Sequence, residues 1–163
     1  QETLKKTRDA LLTLDSLGGL KKNAFGMPNE VDPVSWLLMT ASGWGGNPLK
    51  DAVYIPVFPA KNDGKTPYTL TLKDVPVDAF WSITVYDENS YMFENEQKAY
   101  SVNGVTAKPE KDGSFVIQFG RDPKSAANFL AINPGWCYQW RLYRPRTEVL
   151  NGTWKAPEPV LLK

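Results

Sequence analysis

The stretch Phe80-Trp81-Ser82-Ile83-Thr84-Val85-Tyr86 decides how this chain is read. Strict alternation puts Trp81, Ile83 and Val85 on one side of an extended backbone. Phe80, Ser82, Thr84 and Tyr86 fall on the other. Aromatic and β-branched residues fill nearly every position, the composition that suits a pleated, packed surface. Large groups on both sides predict a central strand covered on both faces.

The same period of two recurs on either side of it. Over residues 53–58, Val53, Ile55 and Val57 alternate with Tyr54, Pro56 and Phe58, and the proline assigns this strand to an edge or a bulge. Residues 68–72 and 115–119 alternate cleanly, and a short strand is expected around 100–102. Over 136–143, Trp136, Tyr138, Trp140 and Leu142 share one face while Cys137, Gln139, Arg141 and Tyr143 share the other. Asn62-Asp63-Gly64-Lys65 and Lys111-Asp112-Gly113-Ser114 carry the Asp-Gly pair that favours hairpin turns. Residues 122–134 read as a polar, turn-rich connection.

Helical spacing is confined to the front of the chain and one short turn near 147–150. Residues 2–17 carry Leu4, Leu11, Leu12 and Leu14 at partly helical intervals, stopped by Gly18-Gly19. Residues 33–41 form a second helix, with Asp32 as cap and Pro33 in the first turn, where a missing N–H costs nothing. Val34, Trp36, Leu37, Leu38 and Met39 make that helix apolar on most sides, so it is expected to be largely buried. The layer rules then predict a mostly β fold: an antiparallel sandwich or jelly-roll-like domain with short N-terminal helices. Residues 1–40 are read as a helical segment packing on a β-rich domain at 41–163.

Composition narrows the function. In 163 residues, 19 basic and 18 acidic side chains leave a formal charge of +1. That supplies no field to gather nucleic acid or an acidic membrane. One cysteine, Cys137, rules out an intrachain disulfide and thiolate metal clusters, and histidine is absent. His-dependent nucleophile and metalloprotease machinery is thereby excluded. No apolar run is long enough to span a membrane. The chain starts at Gln1, which points to processing or trimming. A periplasmic or secreted address is expected, with a cytoplasmic one as the alternative.

Several phrases carry a family resemblance. They are Phe80-Trp81-Ser82-Ile83-Thr84-Val85-Tyr86-Asp87, Asn95 ahead of Tyr100-Ser101-Val102, and Asp112-Gly113-Ser114. Asn128-Phe129-Leu130 follows, then Arg141-Leu142-Tyr143-Arg144-Pro145 leading to Leu150-Asn151-Gly152-Thr153-Trp154. Gly46-Asn47-Pro48 to Tyr54 precedes them all. In order and spacing, over residues 41–159, the chain resembles the bacterial domain of unknown function 1214 family. The resemblance implies a β-rich fold and a bacterial, envelope-exported context, and supplies no activity. It also implies a stand-alone or truncated form, lacking the domain of unknown function 1254 that often precedes this one. The chain departs from the family at Phe129, where Trp is usual, and at Ala99, where a basic residue is usual.

Three groups of residues are candidates for a site. Asp87, Glu88, Glu94 and Glu96 cluster where the strongest strand ends. Paired carboxylates could serve acid–base hydrolysis of a carbohydrate or hold a hard cation, while the plain alternative is a solvated loop. Asn95 and Tyr100 order that loop or line a pocket. Arg141, within a strand, needs a carboxylate or several acceptors; it pairs with Asp87 as a clamp or holds an anionic ligand. Trp44 between glycines, with Tyr91 and Phe93, could stack against a sugar or another flat ligand, or pack into the core. Trp81, Trp136 and Trp140 belong to the core by their period.

The reading that follows is a β-rich module, with no catalytic motif, that binds a small molecule, a carbohydrate or a protein partner. Its alternatives are a carboxylate-dependent hydrolase acting on carbohydrate and a structural or assembly domain. No cofactor or metal is implied by any motif.

Overall fold

The structure, a computed structural model, describes residues 1–16, 23–43 and 45–162. The chain divides into two compact units, Gln1–Ala52 and Val53–Lys163.

The first unit holds α1 (Glu2–Ser16) and α2 (Pro33–Ser42). The Asp32 carboxylate caps α2 by accepting from the Ser35 N–H at 2.7 Å, and hydrogen bonds to Ser35 hold its pKa below the usual range. Arg8 Nε on α1 donates to the Ala41 carbonyl at 2.9 Å, tying the two helices. The expectation that α2 is largely buried is wrong: none of its residues is buried, and Val34 and Trp36 are 64% and 49% exposed. The reason is geometric. A helix apolar on most sides needs neighbours on most sides, and among the described residues of its unit α2 has one other helix, α1. The Gly18-Gly19 stop lies outside the described residues.

The second unit is a two-sheet sandwich. Its strands are β1 (Ala52–Val57), β2 (Tyr68–Leu72), β3 (Trp81–Tyr86), β4 (Ser101–Asn103), β5 (Phe115–Phe119), β6 (Phe129–Leu130), β7 (Cys137–Tyr143) and β8 (Val160–Leu161). A 3-10 turn at Pro123–Ser125 and the short helix α3 (Thr147–Leu150) complete it. One sheet has the order β1-β7-β3-β4 and the other β6-β5-β2-β8. The alternations in the sequence translate directly into cross-strand pairs. Ile83 faces Trp140 in the first sheet, and Leu70 faces Ile117 in the second. Both edges of each sheet are short or carry proline: Pro56 lies in β1, and β4, β6 and β8 run three, two and two residues.

The predicted mostly β sandwich is what forms; two expected hairpin turns need correction, and one strand pair departs from the antiparallel pattern. The Asp63-Gly64 turn is no hairpin, because β1 and β2 lie in different sheets. Asp63 instead accepts from the N–H groups of Lys65 and Thr66, at 2.8 and 2.7 Å, and steers the chain across the sandwich. The Asp112-Gly113 turn likewise passes from β4 to β5 between sheets, with Glu110 and Ser114 closing it. Nor is the sandwich wholly antiparallel: β6, within the stretch read as turn-rich, pairs parallel with β5. Two residues leave too little periodicity to be seen in a sequence.

Between the sheets lies an aromatic core. Trp136, Tyr138 and Trp140 are fully buried along with Leu70, Ile83, Ile117 and Phe119. Phe119 stacks on Trp136 at 5.1 Å between ring centroids, and Trp81 meets Phe115 edge-on at 5.4 Å. These contacts join the sheets. β3 is buried along almost its whole length, the covered central strand its sequence predicts.

Candidate functional site

The outer face of the β1-β7-β3-β4 sheet gathers the polar side chains of its two central strands. Register sets them in rows: Ser82 opposite Arg141, Thr84 opposite Gln139, and Tyr86 opposite Cys137. One step earlier, Tyr143 N–H donates to the Phe80 carbonyl, and the two rings stack at 4.5 Å. β4 extends the face with Ser101, whose hydroxyl donates to the Ile83 carbonyl at 3.1 Å. That leaves Thr84 Oγ1 as donor in its 2.9 Å bond to Ser101.

Arg141 dominates this face. It sits opposite Ser82, whereas Tyr86 lies four positions along β3, roughly 13 Å at the rise of an extended strand. The two side chains close that gap by reaching toward each other along the sheet. Arg141 Nη2 donates to the Tyr86 hydroxyl, and its guanidinium carbon lies 5.6 Å from the Tyr86 ring centre. This is cation–π range. The expected clamp to Asp87 is not formed, and no carboxylate pairs with Arg141 among the described residues. A half-buried forked donor group is thus held by one phenol. Cys137, at the far row, is only half-buried; burial and then the charge of Asp87 raise its thiol pKa, which keeps it protonated.

The acidic loop that follows β3 is an ordered turn. Asp87 Oδ1 accepts from the N–H groups of Asn89 and Tyr91, both at 2.9 Å, which explains why it does not reach Arg141. Asn95 holds the second half, accepting from Ala99 N–H at 2.9 Å and donating to the Phe93 carbonyl at 3.3 Å. Glu88, Glu94 and Glu96 are exposed and make no ion pair among the described residues. No group of three or more acids, histidines or cysteines able to hold a metal occurs among the described residues. Tyr91 is 59% exposed and touches no other ring among the described residues, Phe93 and Tyr100 are half-buried, and Tyr100 gives its carbonyl to Val85 N–H. Trp44 lies outside the described residues. Nothing in this arrangement points to catalysis.

Of the sequence candidates, then, Arg141 lies on the sheet face, while Asp87, Tyr91, Phe93, Asn95 and Tyr100 belong to the loop beyond Tyr86. Sequence reasoning missed Tyr86, Gln139 and the Phe80–Tyr143 stack as neighbours of Arg141. Alternation placed each on an outer face, but the pairing of β3 with β7 that brings them together is a long-range fact. In the first unit, Phe25, Gly26, Pro28, Val31, Pro33 and Trp36 line an open hollow of about 370 Å³. No described helix is long and apolar enough to cross a membrane.

Fold and face together define a β-sandwich domain with a polar, aromatic sheet face and no catalytic constellation among its described residues. The chain belongs to the family described as protein of unknown function (DUF1214), whose profile matches residues 59–147. It is similar to a crystal structure of a protein from Vibrio parahaemolyticus, with 26% identity and a TM-score of 0.78. That match covers 98% of this chain and 43% of the Vibrio chain, so this chain spans less than half of its relative's length. An uncharacterised protein from Burkholderia cenocepacia shares the fold at 17% identity and a TM-score of 0.52, over 69% of this chain and 30% of that one. No curated protein matches the chain.

Proposed function

We propose that the domain binds a small anionic molecule on the outer face of the β1-β7-β3-β4 sheet, with Arg141 as its anchoring charge. One observation carries this reading. The Arg141 guanidinium is rooted mid-strand and oriented by the Tyr86 hydroxyl and ring, with no carboxylate paired to it among the described residues. Arginine offers five donors in a flat fork, and an oriented fork binds a carboxylate or phosphate through two parallel bonds. Gln139, half-buried two residues before Arg141 on β7, adds a shorter polar group on the same face.

Calorimetry with acetate, benzoate, succinate and inorganic phosphate tests it, on the wild-type protein and on Arg141→Met. At least one anion binds the wild type and loses tenfold or more in affinity in the variant. If no anion distinguishes the two proteins, the reading fails.

The N-terminal unit favours a second reading, as an assembly surface. Val34, Trp36 and Leu37 form an exposed apolar run on α2, a helix with no charged residue. Light scattering of the wild type and of Trp36→Glu at high concentration decides it. A wild-type oligomer that the substitution dissolves supports assembly, and a wild-type monomer rejects self-assembly.

A further inference from the structure

Among the described residues, four buried side-chain polar atoms lack a hydrogen-bond partner within the protein: Asn133 Oδ1, Trp136 Nε1, Tyr138 Oη and Trp140 Nε1. All four fall within residues 133–140, on β7 and the turn that leads into it. The set is chemically complementary. Indole nitrogens only donate, the amide oxygen only accepts, and the phenol does both.

Their rings are fixed by packing. Trp136 is held by Tyr68 and Phe119, Tyr138 by Phe119 and Trp136, and Trp140 by Trp81 and Trp154. None can swing out to solvent without breaking the aromatic core. Nor do the polar atoms satisfy each other. The Trp140 N–H is directed toward the Tyr138 oxygen without reaching hydrogen-bond geometry. Burial raises the Tyr138 phenol pKa, so its proton stays in place and needs an acceptor.

We infer that these atoms mark internal hydration of the sandwich, in which ordered water pairs with buried groups that the protein leaves unpaired. Water accepts from the indole N–H groups of Trp136 and Trp140 and from the Tyr138 hydroxyl, and donates to Asn133 Oδ1. Internal waters in proteins make about three such bonds and recur where buried polar groups would otherwise go unpaired. Water is the natural partner because one small molecule offers both donors and acceptors. This inference is independent of the Arg141 face.

A high-resolution crystal structure of the protein and of Tyr138→Phe tests it, with water-to-indole cross-relaxation measured by NMR on the wild type. The expected result is solvent density within about 2.7–3.2 Å of at least two of the four atoms. Cross-peaks to water at the Trp136 or Trp140 indole protons accompany it. In Tyr138→Phe a water contact disappears and the melting temperature falls by roughly 2–4 °C. Dry indoles in both measurements overturn the inference, as does a Tyr138→Phe protein that melts higher. Density too large for water also overturns it and identifies a bound molecule instead.

Discussion

Asn128 and Lys108 are joined in both directions: the Asn128 side chain accepts from the Lys108 N–H at 2.8 Å and donates to the Lys108 carbonyl at 2.9 Å. A second bond from the same amide nitrogen reaches the Val116 carbonyl at 3.1 Å. One buried side chain therefore substitutes for a piece of missing strand between the loop after β4 and strand β5.

Loss of that amide leaves buried backbone groups unpaired. Asn128→Ala is expected to cost about 2–4 kcal/mol of unfolding free energy. Asn128→Asp should also destabilise at neutral pH, because it replaces the donor to Lys108 and Val116 with an acceptor. Urea denaturation checks both, and a loss under about 0.5 kcal/mol for either shows that the pairing is dispensable.

Gly64 and Gly113 both have left-handed backbone, at φ +73° and +80°, but only one is crowded. A Cβ on Gly64 would lie 2.4 Å from Pro134 N, whereas one on Gly113 meets nothing within 4 Å. Gly113→Ala should cost only the left-handed penalty, about 1–2 kcal/mol. Gly64→Ala adds a backbone clash and should exceed it clearly. Equal losses in a denaturation series contradict the assigned crossover geometry.

Asp63 and Asp112 set the acid response. Backbone N–H groups of Thr66 and Lys65 hold Asp63 at a pKa of about 2, and Ser114 holds Asp112 at about 2, against 3.8 for a free carboxyl. A folded-state pKa below the unfolded one gives stability that is fully present above about pH 4. It is lost as pH falls toward 2. Both groups are exposed, so the effect is modest. The stability gap between wild type and Asp63→Asn should be constant from pH 7 to about 5 and narrow between about 4 and 2. A gap that widens on acidification reverses the assignment.

Trp136 and Tyr91 predict opposite outcomes for aromatic removal. Trp136→Ala empties a fully buried site between Tyr68 and Phe119 and should cost about 3–5 kcal/mol or abolish folding. Tyr91→Ala removes an exposed ring and should stay within about 0.5 kcal/mol. Thermal melts of the two variants give the comparison directly.

What could be read from sequence was whatever repeats locally. Alternation in β3 and β7 identified Trp81, Trp136 and Trp140 as core and Arg141 as outward, and the Asp32-Pro33 pair marked the start of α2. What escaped depended on partners distant in the chain. Asp63-Gly64 has the residues of a hairpin turn, yet its flanking strands join different sheets. α2 has the composition of a buried helix, yet none of its residues is buried, and α1 is the other helix among the described residues of its unit. The site was legible by halves: Arg141 was singled out as a charge needing a partner, but Tyr86 as that partner requires the β3–β7 register.

The blunt sheet edges have a consequence for recognition. Pro56 in β1 and the two- and three-residue strands elsewhere leave few free backbone groups in line for an incoming strand. Growth in the hydrogen-bonding direction is disfavoured, as it is wherever edge strands are short or carry proline. Whatever docks here must therefore be read by side chains on a face or in a loop, so its affinity is open to tuning by single substitutions that leave the scaffold untouched.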